Sequence, residues 1–436
     1  MISVLLVASG IFIHPFSYFK YFFMLSAGGV IFLAGMRAVY QNKFVGIVKK
    51  APVFFFLAIY LALLVSIKHF VRFYSPDVQV SLVSGYAHVI GVLFAFFLIF
   101  GCTRRETDVF FASYSVFFTI IFFFTGRDTQ LDAEYVCRTI SLYGNPAILT
   151  VFAAVNLFIS VIAFYRIKHK IRYFFLLSAS LALVAVIYSV SRAILLGLAA
   201  AAILLAIRFF AKWIKKGIPP MNHLRSALFS CLFFLVSFSL FAVIYEPKPD
   251  NAIDNRAKNN AEQVTGAGES NGESNAGQSV NYILAFDRFN EENVSVNSSV
   301  ENNFRLTIWA QYIKSLDQYV WFGSEVVHDK IYVEAAHLNY ETHNCFLYML
   351  YCYGIVGLVL FIYLVYKACW IPFHIKSKDP TYFLVFLCFV AFTVDSMFHA
   401  EPKHAIYWCV LAAACGYATQ STEIGYRTHE KNYICD

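Results

Sequence analysis

Long apolar runs, broken by short segments rich in Lys and Arg, set the pattern of this chain. Twelve runs approach the roughly 20 apolar residues that cross a bilayer as a helix. They lie at about 2–15, 19–36, 51–67, 82–102, 108–125, 145–165, 173–190, 193–210, 226–245, 344–366, 381–398 and 404–419. The tenth is the cleanest: from Cys345 it reaches Tyr366 without a charge, yet it opens on the polar pair His343-Asn344. The N-terminus has no basic segment and no A-x-A site before its first apolar run, so that run is expected to be the first span.

One stretch interrupts the pattern. Residues 246–303 are rich in Asn, Gly, Ser and Glu and bury too little apolar surface to fold alone. The next stretch, "NNFRLTIWAQYIKSLDQYVWFG", places Ile308, Trp309, Tyr312, Ile313 and Leu316 at helical spacing. It predicts an amphipathic helix over 304–318, with Asn302 or Asn303 as its cap. The expected organisation is therefore nine spans in 1–245 and one large outer segment at 246–342. Three spans follow in 343–419, and the tail is 420–436.

Charge orients the spans. With the N-terminus inside, the inside segments include "RAVYQNKFVGIVKK", "TRRETD", "RIKHKIR", "RFFAKWIKKGIPPMNHLR" and "KACWIPFHIKSKDP". Together with the tail they hold most of the 34 Lys and Arg residues, as the positive-inside rule requires. Both termini are then cytoplasmic, and 246–342 faces the other side. Composition agrees: 59% of residues are hydrophobic and only 14% charged, against roughly 25% charged in soluble domains. The net charge of +7 follows from topology and calls for no nucleic acid. Most of the ten cysteines lie in apolar runs and act as small hydrophobes. Cys137 and Cys345 are the two on the outer side, and spacing leaves open whether they pair.

Four ionisable residues share that outer side. Arg192, in "SVSRAILLG", sits at an abrupt turn between two spans, where a cation needs a partner, a wet cavity or an interface to reach. Arg305 opens the amphipathic helix, at the positive end of its dipole. A solvated Arg fits there, and so does one that faces an anion together with the free helix N–H groups. Asp395, in "FTVDSMFHAEPKH", lies just inside the outer end of a span, and His343 precedes another. Two arginines, a carboxylate and an imidazole suit substitution at a carbon bearing a diphosphate. The arginines hold the leaving group, the imidazole takes a proton from the incoming hydroxyl, and Asp395 orients one of them.

The chain resembles a known family at these residues. His343-Asn344, nine residues, Gly354, two residues and Gly357 match the H-[NSQ]-x9-G-x-x-[GTY] pattern of the bacterial O-antigen ligases. That family belongs to a wider superfamily with O-antigen polymerases and protein O-oligosaccharyltransferases. Arg192, Arg305 and Asp395 match further positions of the family, and one large outer loop ending at His-Asn is similar too. The resemblance covers most of the chain from about residue 140 onward and rests on hydropathy before that. Where many relatives carry Pro-x-x-G-x-G after the loop helix, "LDQYVWFGSEV" keeps only Gly323.

The resemblance implies an all-α polytopic membrane protein of about twelve spans, GT-C-like, with one periplasmic loop that contains an amphipathic helix. It implies an inverting glycosyltransferase of lipopolysaccharide biosynthesis in the inner membrane of a Gram-negative bacterium. The donor would be O-antigen on undecaprenyl diphosphate and the acceptor a sugar hydroxyl of lipid A–core, with no cofactor and no metal. His343, Arg192 and Arg305 would be catalytic. Arg192, Arg305, Asn344 and Asp395 would bind substrate, and Gly354 and Gly357, three apart on one helix face, would let a neighbouring helix approach. No D-x-D occurs, and Asp132-x-Glu134 reads as a solvated loop. Two alternatives stay open. A polymerase would use the same donor but commonly has two sizeable outer loops. A transporter would carry inverted repeats and mid-membrane charges, and neither is evident here.

The topology generates the first prediction. Reporter fusions at residues 215 and 260 should report opposite compartments, cytoplasmic and periplasmic; one shared compartment would exclude twelve spans.

Overall fold

The computed structural model describes residues 1–14, 19–72, 79–127, 129–131, 137–139, 141–143, 145–167, 170–189, 191–216, 221–245, 252–254, 306, 308–314, 316, 320–323, 330–333, 338–374, 380–398 and 404–416. Arg305, His337, Asp132 and Glu134 lie outside the described residues, as does the capping position at Asn302 or Asn303.

A helix overlaps every predicted span. In chain order they are α1 (Ile2–Phe12), α2 (Phe19–Tyr40), α3 (Phe44–Lys50), α4 (Pro52–Arg72), α5 (Gln79–Phe96), α6 (Arg104–Thr125), α7 (Pro146–Arg166), α8 (Arg172–Tyr188), α9 (Arg192–Lys216) and α10 (Met221–Ile244). The outer segment holds α11, residues 308–314. The last three are α12 (Cys345–His374), α13 (Pro380–Ser396) and α14 (Ala405–Gly416). Among the described helices, α3 alone falls outside the expected spans and the expected amphipathic helix.

Among the described residues, four helices are long and apolar enough to cross a membrane: α2, α6, α7 and α12 over Cys345–Trp370. The bent pair α3–α4 makes up to five. Others, such as α1, α8, α13 and α14, are shorter apolar helices. This is the build of a polytopic membrane protein.

The expectation of an all-α chain is corrected in one respect. Short strands β1 (Thr129–Leu131), β2 (Cys137–Thr139) and β3 (Ala252–Asp254) form one small sheet, with β1 antiparallel to β2 and parallel to β3. Strands β4 (Lys330–Val333) and β5 (Leu338–Glu341) form an antiparallel hairpin just before His343. Runs of three or four residues carry too little alternation to stand out from loop sequence.

Helix ends follow local chemistry. The Asn145 side chain accepts a hydrogen bond from the Ala147 amide at 2.8 Å and Pro146 takes the first helical position, so α7 starts there. Thr103 and Glu106 form a capping box on α6: the Thr103 amide donates to the Glu106 carboxylate at 2.7 Å and the Glu106 amide to Thr103 Oγ1 at 3.3 Å. Arg37, in the last turn of α2, donates to both oxygens of that carboxylate at 2.8 and 3.0 Å and to the Gly101 carbonyl at 2.9 Å. Pro52 forces Ala51 out of the helical region (φ −143°, ψ 63°), which accounts for the 100° bend between α3 and α4.

The chain divides into two compact units. The first comprises Met1–Tyr114, Leu196–Ala211 and Val296–Asp436; within it α12 packs on α4 and α13. The second comprises Ser115–Leu195 and Lys212–Ser295; within it α8 packs on both α7 and α10. A buried hydroxyl cluster joins helices of the second unit. Ser178 Oγ lies 2.6 Å from Thr119 Oγ1 and 3.2 Å from Ser115 Oγ, and it accepts from Asn156 Nδ2 at 2.9 Å and Ser160 Oγ at 3.0 Å. Such bonds between membrane helices are worth about 0.6 kcal/mol each, so the cluster registers the helices more than it stabilises them.

Candidate functional site

The polar pair that opens α12 is held from three directions, all within the first unit. Asn344 is the helix cap: its Oδ1 accepts from the amides of Phe346 and Leu347, both at 3.0 Å. Its Nδ2 donates to the Met397 carbonyl at 3.2 Å, which ties the start of α12 to the turn ending α13. That turn carries Asp395, which is 1% exposed and whose carbonyl accepts from the Phe398 amide at 2.9 Å. From the outer segment, Trp309 Nε1 donates to the Thr342 carbonyl at 2.9 Å.

His343 sits between these ties in the left-handed region, at φ +46°. For a side chain with a Cβ this conformation costs about 1–3 kcal/mol and persists only where the surroundings fix it. Here Thr342 is buried on one side and Asn344 is committed on the other. His343 itself is half-buried. The structure therefore brings His343, Asn344 and the Asp395 turn together. The Asn344 amide bonds the helix end and the Met397 carbonyl.

Docking of α11 follows from its apolar face. Ile308 and Tyr312 are buried, and the Tyr312 ring meets Tyr351 edge-on, 4.9 Å between centroids. Ile313 and Leu306 face outward instead. The described residues of the expected 304–318 helix are helical at Leu306 and over 308–314.

Gly354 requires a correction. It is not on one continuous helix face with Gly357: α12 breaks there, with Gly354 at φ +68° and ψ −175°. That region is open essentially to glycine alone. The cause is the turn at Val320–Gly323, which lies against the break. A Cβ on Gly354 would stand 2.2 Å from the Trp321 carbonyl oxygen, and a Cβ on Gly323 (φ +74°) would stand 2.3 Å from the Cys352 carbonyl oxygen. Two glycines thus meet backbone to backbone. Gly357 lies against α4, where a Cβ would be 3.5 Å from Tyr60 Cε1.

The broken turn exposes backbone groups, and the structure satisfies them from outside the helix. The Ile355 amide donates to the Val320 carbonyl at 2.7 Å. The Tyr353 carbonyl accepts from Tyr60 Oη at 2.7 Å and the Cys352 carbonyl from Lys68 Nζ at 3.1 Å. Next to them the His88 ring lies between two phenols, with Nδ1 at 2.6 Å from Tyr353 Oη and 3.1 Å from Tyr348 Oη. Neither Lys68 nor His88 was singled out from the sequence. The available signal was an ionisable residue inside or at the edge of an apolar run, which membrane proteins rarely carry without a use.

Arg192 belongs to the second unit. It is the first residue of α9 and is half-buried, three residues beyond the turn at Ser189. Ser189 is buried and lies 2.5 Å from Thr150 Oγ1, so the short α8–α9 connection is anchored on α7. Cys345 is a buried free thiol.

Helices of this length and hydropathy, with a polar centre at the mouth of one of them, mark a polytopic membrane protein. Residues 177–362 match the family model described as O-antigen ligase, and over that stretch the chain is similar to that family. The matched stretch includes Arg192, Arg305, His343, Asn344, Gly354 and Gly357 but ends before Asp395. It supports a glycosyltransferase-like O-antigen ligase or polymerase type of function, acting on a lipid-linked polysaccharide and a lipid acceptor. No curated protein and no solved structure matches the chain.

The glycine contact sets the second prediction. Gly354→Ala should cost more than about 3 kcal/mol through strain and the backbone clash. Lys68→Ala, which strips one acceptor of its donor, should cost about 1–3 kcal/mol. Gly28→Ala, whose Cβ meets nothing within 4 Å, should be neutral or stabilising. Thermal unfolding of the purified proteins ranks the three, and a Gly354→Ala protein as stable as wild type would contradict the glycine contact.

Proposed function

We propose that this protein transfers O-antigen polysaccharide from undecaprenyl diphosphate to a sugar hydroxyl of lipid A–core. The reaction takes place on the periplasmic face of the inner membrane, in a GT-C-like chain of twelve spans with both termini cytoplasmic. The observation that carries this reading is the His343 centre: a histidine with a left-handed backbone, flanked by Thr342, which accepts from Trp309 of α11, and by the Asn344 cap, inside the stretch matched by the ligase family model.

In this reading His343 accepts the proton of the acceptor hydroxyl as its oxygen attacks the anomeric carbon. The bond from that carbon to the diphosphate oxygen breaks on the opposite face, so configuration inverts and undecaprenyl diphosphate departs. Arg192 and Arg305 bind the diphosphate and stabilise its growing charge. No nucleotide sugar and no metal is needed, because cationic forks meet the leaving group. Asn344 holds His343 in place, and Asp395 orients the imidazole or an arginine. A polymerase would use the same donor and the same parts. Deletion strains separate the two: loss of all capped core on a lipopolysaccharide gel indicates a ligase, and a single-repeat rung indicates a polymerase.

Two predictions follow from these roles. His343→Ala should bind lipid-linked donor like wild type and transfer about 10²–10⁴-fold more slowly. Wild-type rate should rise with pH over about 5 to 8 as the imidazole loses its proton, and the variant should be flatter. His337→Ala should stay active. Joint loss of binding and rate in His343→Ala would make the residue a substrate contact instead of a base. The arginines are tested by replacement with Lys, which keeps the charge and loses the planar fork. Arg192→Lys and Arg305→Lys should each insert normally and ligate poorly, and near-normal ligation by both would show that charge alone suffices.

A further inference from the structure

The turn pressed on Gly354 carries two large apolar side chains that the protein does not cover. Trp321 is 67% and Phe322 63% exposed, although their peptide link touches the α12 backbone. In the same outer segment Leu306 and Ile313 are 59% and 56% exposed. A loop in water would expose on the order of 100 Å² of apolar surface at each aromatic ring.

Their position along α12 gives the reason. From the break to its inner end, α12 has about 20 residues, or about 30 Å at 1.5 Å per residue. That is about one hydrocarbon thickness, so the break falls at the outer boundary of the bilayer. Below it, Ile355, Val356, Val359, Ile362, Tyr363 and Tyr366 form one exposed stripe at helical spacing, which faces lipid. Above it, Tyr348, Met349, Tyr351, Cys352 and Tyr353 are buried. At the inner end the stripe terminates in the stacked pair Tyr366–Trp370, an interfacial aromatic anchor. At the outer end Gly354 has no side chain to offer. The backbone of Trp321 and Phe322 lies against that glycine, and the bond from the Ile355 amide to the Val320 carbonyl holds their turn next to the top of the stripe.

From this we infer that the Val320–Gly323 turn is a membrane anchor: Trp321 and Phe322 insert into the outer leaflet and supply the outer aromatic belt that α12 lacks. The occupant of the exposed face is bilayer lipid. The outer segment is therefore moored at membrane depth next to the helix that presents His343.

The test uses the full-length protein in lipid nanodiscs and needs no glycosyl transfer, so it stands or falls separately from the proposed reaction. Tryptophan emission is compared between wild type and Trp321→Phe, and the difference isolates Trp321. The quenchers are phosphatidylcholine brominated near the carbonyl end of the acyl chain, phosphatidylcholine brominated near the methyl end, and aqueous iodide. The Trp321 component should lose emission to the first lipid, less to the second, and none to iodide. Quenching by iodide alone would place the turn in water and overturn the anchor. Quenching by neither lipid nor iodide would mean that protein covers the turn, from a second copy or another part of the chain, and would overturn it equally.

Discussion

A buried backbone carbonyl or amide left without a partner costs about 1–3 kcal/mol, and α12 breaks its own ladder at Gly354. Everything around the candidate site answers that constraint. The outer segment sends the Val320 carbonyl to Ile355, α4 sends Tyr60 and Lys68 to the carbonyls of 353 and 352, and α5 brackets the adjoining phenols with His88. Elements far apart in sequence are recruited to one defect. Because each supplies a directional bond, each is also oriented by it. The defect is thus the means by which a long outer segment and two spans acquire fixed places around the mouth of α12.

The second unit solves a different problem with the same chemistry. Its helices have no large apolar gain from touching one another in lipid, and the hydroxyls around Ser178 give them register at low energy. Arg192 stands at one end of this unit, on a turn whose Ser189 is pinned to Thr150. In both units, polar groups that cost energy in lipid mark where precision is needed.

Much of the architecture was legible because hydropathy requires no knowledge of tertiary contacts. Every predicted span meets a helix, and α11 falls where apolar spacing placed it. His343 was legible as well, since a polar pair before an uncharged run is conspicuous. What escaped depends on partners distant in sequence. Gly354 reads as a small residue in a helix until the Trp321 carbonyl is brought against it from the outer segment. An Asn before an apolar run is also a helix-start signal, and Asn344 forms that cap. Lys68 and His88 gave only a weak signal, because one charge in a long apolar run says nothing about which carbonyl it will meet.

The outer piece of α12 also acts as a ruler. One of its ends is clamped at the glycine break and the other is the Asn344 cap, so the residues between them measure out where His343 stands. One residue added within it would rotate the cap by about 100° and advance it by about 1.5 Å, carrying the imidazole to another side of the helix. Residues added between Gly323 and Thr342 would fall between two points that are already fastened. In evolutionary terms the outer segment is free to change length, while the count from His343 to Gly354 is as much a part of the site as the imidazole.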